Sequence, residues 1–155
     1  MSDVSSARRS PNGDKASAVT AWEALFRAQV SVMRSLAAEF PTKDISFNEY
    51  DVLFNLSRQP DRKLRLRDLN RHVLLSQPSV SRLIDRLVKR GLLSKCPEAA
   101  DGRGAEVRMT DAGFDLFRRV AVEHMATISK RFGGTLDTDE LRQLTDLCDK
   151  LRDGD

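Results

Sequence analysis

Apolar residues recur at steps of three and four along much of the chain, interrupted near the middle by two short alternating runs. Val19, Trp22, Phe26, Val30, Met33, Leu36, Ala37 and Phe40 share one face at helical spacing. They predict an amphipathic helix over 19–40 that Pro41 stops. With Leu25 added, the stripe is broad enough to pack on its own domain and on a partner. Ser46-Phe47-Asn48-Glu49 is a capping box. The Ser hydroxyl accepts from the Glu backbone N–H and the Glu side chain reaches back. The helix it opens is expected to turn Tyr50, Leu53, Phe54 and Leu56 inward. It should end near residues 58–60, where Gln59-Pro60-Asp61 reads as a turn. Leu64-Arg65-Leu66 alternates and predicts a minor strand able to pair with a later hairpin. Residues 67–73 read as a short helix with Leu69 and Val73 inward.

Residues 76–110 organise the rest. Ser76 is an expected N-cap, with Pro78 in the first turn where a missing N–H costs nothing. Val80, Leu83, Ile84, Leu87 and Val88 form one stripe at about 100° per residue. Pro78, Ser79, Arg82, Asp85, Arg86 and Lys89 fall opposite, with Gln77 at the exposed start. Gly91 ends the helix as a left-handed C′ residue. Residues 92–96 and 105–109 are strand candidates, and 97–104 supply turn residues for a hairpin tip. Thr110 caps the next helix, with Asp111 in its first turn. Its stripe runs through Phe114, Phe117, Val120, Ala121, Met125, Ile128 and Phe132 to the break at Gly133-Gly134. A last helix over 136–151 has Leu141, Leu144, Leu147, Cys148 and Leu151 on one side, with Thr138, Asp139 and Glu140 as its start signal.

Two short helices joined by a tight turn, the second basic outward, form a helix-turn-helix pattern; the following hairpin makes it winged. The expected fold class is mainly α with a small β-hairpin wing, a winged helix-turn-helix with flanking dimerisation helices. The expected divisions are a disordered tail over 1–16, a dimerisation helix over 17–45, a DNA-binding lobe over 46–110 and C-terminal dimerisation helices over 111–155. The flanking helices carry more apolar stripe than so small a lobe can cover, and the excess reads as a homodimer interface.

Charge distribution sharpens this picture. The 155 residues carry a net charge of only +3. Residues 58–108 hold 13 Lys/Arg against 6 Asp/Glu, a net +7, and the remainder is net −4. A basic middle is the footprint of a lobe that faces a polyanion. No apolar run approaches the ~20 residues of a membrane span, and the first residues lack the apolar core of a secretory signal. Cys96 and Cys148 have no CxxC spacing, and His72 and His124 have no ligand constellation. No metal, no cofactor and no catalytic set is expected, so the chain is not read as an enzyme, and a reducing cytoplasm suits it.

Contacts to phosphate fix register, and contacts to base edges specify sequence. The helix start at Ser76, Gln77, Pro78 and Ser79 presents free N–H groups suited to a phosphate. Gln77 can read adenine and Arg82 can read guanine, each bidentately. Ser81, Arg86 and Lys89 are assigned to phosphate or support roles. Asp85 is expected to pair with an Arg, nearby or in the wing, rather than meet DNA. Arg103, between two glycines at the hairpin tip, can enter a narrow minor groove, with Asp101 holding the tip. Trp22, Phe26, Tyr50 and Phe54 are candidates for lining a ligand cavity.

The order of parts resembles the MarR family of bacterial transcriptional regulators over residues 19–151. The most specific stretch is Ser79-Val80-Ser81-Arg82-Leu83-Ile84-Asp85-Arg86-Leu87-Val88-Lys89-Arg90-Gly91-Leu92, similar to the family's recognition helix and first wing strand. Asp101-Gly102-Arg103, then Val107, Met109-Thr110 and Gly113, resemble its wing signature. The resemblance implies a homodimer held by its terminal helices. It would bind a palindromic double-stranded operator with recognition helices in the major groove and wings in the minor groove. It also implies a repressor released by a small aromatic or phenolic ligand. Two departures stand out. Asn70 occupies a position where the family usually has a small Ala, and no Cys precedes Pro41, which argues against peroxide sensing through an N-terminal thiol. The alternatives are a redox-responsive regulator of the same fold using Cys96, and a winged-helix protein-interaction module without DNA binding.

Overall fold

The computed structural model describes residues 14–73, 75–98 and 104–154. The chain divides into two compact units, Met1–Ala38 and Glu39–Asp155. The first contains α1 (Lys15–Ala38). This helix starts four residues before Val19, because Lys15, Ala16 and Ala18 are good helix formers that carry no stripe. Val19, Trp22, Leu25, Phe26 and Met33 are all exposed along it.

The second unit opens with α2 (Phe47–Ser57), which has the full capping box: the Glu49 N–H donates to Ser46 Oγ and the Ser46 N–H donates to Glu49 Oε2. After α2, Asp61 and Arg62 both take positive φ, 54° and 52°. Two consecutive left-handed non-Gly residues are costly. Arg62 is held by Asp111 at 2.8 Å and by the Phe114 ring at 4.6 Å. The turn thereby ties the lobe's first strand, β1 (Lys63–Arg65), to the start of a later helix.

Next come α3 (Leu66–His72), α4 (Gln77–Lys89), β2 (Leu93–Pro97) and β3 (Ala105–Met109). The sheet is antiparallel in the order β1-β3-β2, with Leu64 opposite Val107 and Lys95 opposite Val107 on the other side. The strand expected at 64–66 therefore forms one residue earlier, since Leu66 opens α3. Pro97 is tolerated because β2 is an edge strand. Two long helices follow, α5 (Asp111–Gly133) and α6 (Thr138–Arg152). The cap of α6 is Asp137 rather than Thr138: its carboxylate accepts from the Asp139 and Glu140 N–H groups, and Glu140 completes a capping box.

The core joins α2, α3, α4, the sheet and α5 through Val52, Leu53, Leu56, Leu69, Val80, Ile84, Leu87 and Val107, all fully buried. Phe54, expected inward, is 43% exposed, and Met125 is 63% exposed. In α5 the buried positions are Gly113, Leu116, Val120, Ala121 and His124, one step round the helix from the stripe expected through Phe114, Phe117 and Met125. In α6 no residue is buried, and Leu147 and Leu151 stand 61% and 65% exposed.

Candidate nucleic-acid interface

The corner from α4 into the wing is built from short-range chemistry. Arg90 is the C-cap of α4 and Gly91 follows at φ 72°. The Gly91 N–H donates to the Val88 carbonyl and the Leu92 N–H to the Leu87 carbonyl, a Schellman pair. Thr110 closes the corner from the other side. Its hydroxyl donates to the Gly91 carbonyl at 2.7 Å and accepts from the Gly113 N–H at 3.0 Å. A Cβ on Gly113 would run into the Leu92 carbonyl. A glycine there is thus required by the close approach of α5 to the start of the wing.

On α4 the apolar stripe is buried as expected, with Val80, Leu83, Ile84 and Leu87 all inward. At 100° per residue, Arg82 and Lys89 point directly away from that stripe. Both are exposed and neither has an ion pair or hydrogen bond among the described residues. Gln77 and Pro78 are exposed at the helix start, and Ser79 and Ser81 are half-buried. Ser76 occupies the N-cap, but its hydroxyl makes no cap hydrogen bond and donates instead to Ser79 Oγ at 2.9 Å. The first-turn N–H groups are therefore left without a side-chain acceptor, as an anion site at a helix start requires.

The flanks of α4 are tied to neighbours. Asp85 pairs with a wing residue, as expected, but the partner is Lys95 of β2 at 3.3 Å and not an arginine. Arg86 lies beside the nearly buried Glu49 of α2, Nε to Oε1 at 3.6 Å, and Arg90 Nη1 lies 3.6 Å from the other carboxylate oxygen. Arg86, assigned to a phosphate or support role, thus lies against α2 while its side chain stays 59% exposed. At the root of the wing, Glu98 accepts from Arg65 Nε at 2.7 Å and lies 3.8 Å from Arg67. The Glu98 N–H also donates to the Gly104 carbonyl at 2.8 Å. Neither carboxylate clamp was foreseeable in function from sequence; Glu49 carried a signal only as a helix cap. The wing-tip positions Asp101 and Arg103 lie outside the described residues.

The four candidate ligand-lining aromatics fall into two pairs on different units. Trp22 and Phe26 have ring centroids 5.8 Å apart on α1. Tyr50 and Phe54 are stacked at 6.5 Å on α2. Tyr50 also stacks on Phe117 and meets His124 edge-on at 5.0 Å, with Phe40 and Phe47 completing the cluster. Burial pushes the Tyr50 hydroxyl pKa up and the His124 imidazole pKa down. His124 Nδ1 is buried without a hydrogen-bond partner, as is Asn70 Oδ1. Cys96 is exposed. Strand alternation puts it on the opposite face from Lys95, whose ammonium is engaged by Asp85.

Residues 43–104 match the model of the MarR family. The HTH-type transcriptional regulator PecS of Dickeya dadantii (strain 3937) is 28% identical over 102 residues, which cover 65% of this chain and 61% of that protein. Two solved structures from Streptomyces coelicolor are similar. Sco3205, a MarR family transcriptional regulator in complex with DNA, has a TM-score of 0.73 at 21% identity, covering 93% of this chain and 91% of that one. The PcaV transcriptional regulator in complex with its natural ligand has a TM-score of 0.65 at 29% identity, covering 83% and 89%. The chain is thus similar to the MarR family in sequence over its central lobe, residues 43–104, and shares the winged-helix fold of these regulators over most of its length.

Proposed function

We propose that the protein is a homodimeric, sequence-specific regulator of transcription that reads a palindromic operator through α4. The observation that carries this reading is the outward face of α4. It presents Arg82 and Lys89 unpaired, and a helix start whose N–H groups have no side-chain cap, within a stretch, residues 58–108, of net charge +7. A helix supported on three sides and bare on the fourth fits a major groove about 12 Å wide. Gln77 and Arg82 read bases, and the helix start, Ser79, Ser81 and Lys89 meet phosphates. Arg103 anchors in the minor groove, with Asp101 holding the tip. The complex of Sco3205 with DNA supports the same use of the fold here.

Dimerisation is supported by the uncovered apolar residues Trp22, Phe26, Leu147 and Leu151 on α1 and α6. The divisions follow from this: α1 and the C-terminal helices dimerise, and residues 46–110 read DNA. The protein acts as a repressor in the cytoplasm and is released by a small aromatic ligand that enters beside Tyr50 and Phe54. The ligand-bound PcaV supports that last step. The redox alternative through Cys96 is disfavoured, because Lys95 is turned to the other face of the strand and paired.

The test is selection of duplexes from a random pool, followed by footprinting. Two protected half-sites with centres about 10 bp apart, bound by one dimer, are expected. A panel of phenolic acids then tests release. Binding that ignores sequence, or a monomer on a single half-site, overturns the reading.

A further inference from the structure

Glu49 serves two structures at once. It is the N3 residue of the α2 capping box, where its Oε2 accepts from the Ser46 N–H at 2.9 Å. The same carboxylate, with its side chain only 10% exposed, lies 3.6 Å from Arg86 Nε and 3.6 Å from Arg90 Nη1 on the last turns of α4. Both guanidinium groups reach the surface, at 59% and 42% exposure. Arg90 has a second tether, donating to the Asp44 carbonyl, whereas Arg86 has none among the described residues. Arg86 lies about 40° round the helix from Arg82, taking 100° per residue, so only this lateral ion pair draws it off the outward face.

We propose that Glu49 is a positioning and specificity-determining residue that withholds Arg86 from the DNA backbone. The proposal rests on α4 being the DNA-reading helix. A cation that reaches phosphate adds affinity for any duplex, and so adds nothing to the distinction between an operator and other DNA. By holding Arg86 against α2, Glu49 leaves the discrimination to the side chains on the bare face. It also fixes the C-terminal half of α4 against a helix whose own start depends on the same carboxylate, so recognition helix and scaffold share one anchor.

Glu49→Gln separates the two duties. Glutamine serves at N3 of a capping box, so the start of α2 is preserved while the charge facing Arg86 is removed. The measurement is affinity for the duplex selected by wild-type protein and for a scrambled duplex, over a range of salt concentrations. The salt slope of Glu49→Gln is expected to steepen by about 0.9 per subunit, one added phosphate contact. Affinity for the scrambled duplex should rise and the operator-to-scrambled ratio should fall several-fold. Arg86→Ala alone should leave the wild-type slope unchanged, and adding it to Glu49→Gln should restore that slope. An unchanged slope and ratio in Glu49→Gln overturns the proposal. So does a flattened slope in Arg86→Ala alone, which tests the point even where the Gln variant folds poorly. Wild-type protein that selects no duplex instead removes the DNA reading itself, an outcome distinct from a selective wild type with an indifferent Glu49→Gln.

Discussion

Replacing Arg82 by Ala isolates sequence reading from everything else the lobe does. Arg82 is exposed, points away from the buried stripe of α4 and pairs with nothing among the described residues. Its removal therefore leaves no orphaned partner, and Ala is at least as good a helix former, so stability should change by no more than about 0.5 kcal/mol. A bidentate contact to guanine is worth about 1–3 kcal/mol of discrimination, and a dimer makes it twice. Operator affinity should fall by about 2–6 kcal/mol in sum, roughly 30-fold at the least. Affinity for a scrambled duplex should fall far less. Arg82→Lys keeps the charge but not the planar fork, and should lose most of the same discrimination. Fluorescence anisotropy with labelled duplexes, paired with thermal melts, measures both quantities. An equal loss on both duplexes, with the salt slope reduced by about 0.9 per subunit, would show that Arg82 contacts phosphate instead. An unaffected operator affinity would place the reading face elsewhere.

Other outcomes follow from the fold. Gly113→Ala should destabilise the protein by about 2–3 kcal/mol, because its Cβ meets the Leu92 backbone carbonyl rather than a movable side chain; chemical denaturation measures this, and a neutral substitution would refute the close approach. The folded-state pKa of His124 is lowered by burial, so the unfolded chain takes up its proton first. That contribution to stability is complete above about pH 6.5 and is lost as pH falls through the folded pKa. His124→Phe should flatten the acid side of the stability profile and, by removing the unpartnered Nδ1, should not destabilise at pH 7. Asp51, whose carboxyl burial pushes up, works in the opposite sense at lower pH. Leu147→Glu on the exposed face of α6 should shift the protein toward monomer in sedimentation without changing the melt of the lobe; an unshifted dimer would remove α6 from the interface.

Legibility in the sequence tracked how local the physics is. The α2 capping box, Gly91 at positive φ, Thr110 as a cap and the pairing of β1 with the hairpin all depend on residues near in sequence or on strict alternation, and all appear in the structure. Errors arose where long-range packing chooses among equivalent local options. Helix α2 is apolar on most sides, so periodicity could not tell that Val52 is buried and Phe54 exposed. In α5 the inward face runs through a glycine and a histidine, which hid it behind the flanking Phe114, Phe117 and Met125. For the candidate site, sequence located the bare face of α4 but not its lateral ties. Glu49 and Glu98 are 37 and 31 residues from the nearest arginines they hold, and no local pattern encodes such pairs. Ser76 shows the converse, a residue type correct for an N-cap whose hydroxyl is drawn to Ser79 instead.

The central claim is that the bare face of α4 reads sequence and does not merely attract polyanions. The most direct measurement is the ratio of affinities of wild-type protein for its selected duplex and a scrambled one, followed across salt. Specific binding should exceed non-specific by at least about 10³-fold near physiological salt, and the preference should persist as both affinities fall with rising salt. A ratio near one, with both duplexes losing affinity in parallel, would contradict the account.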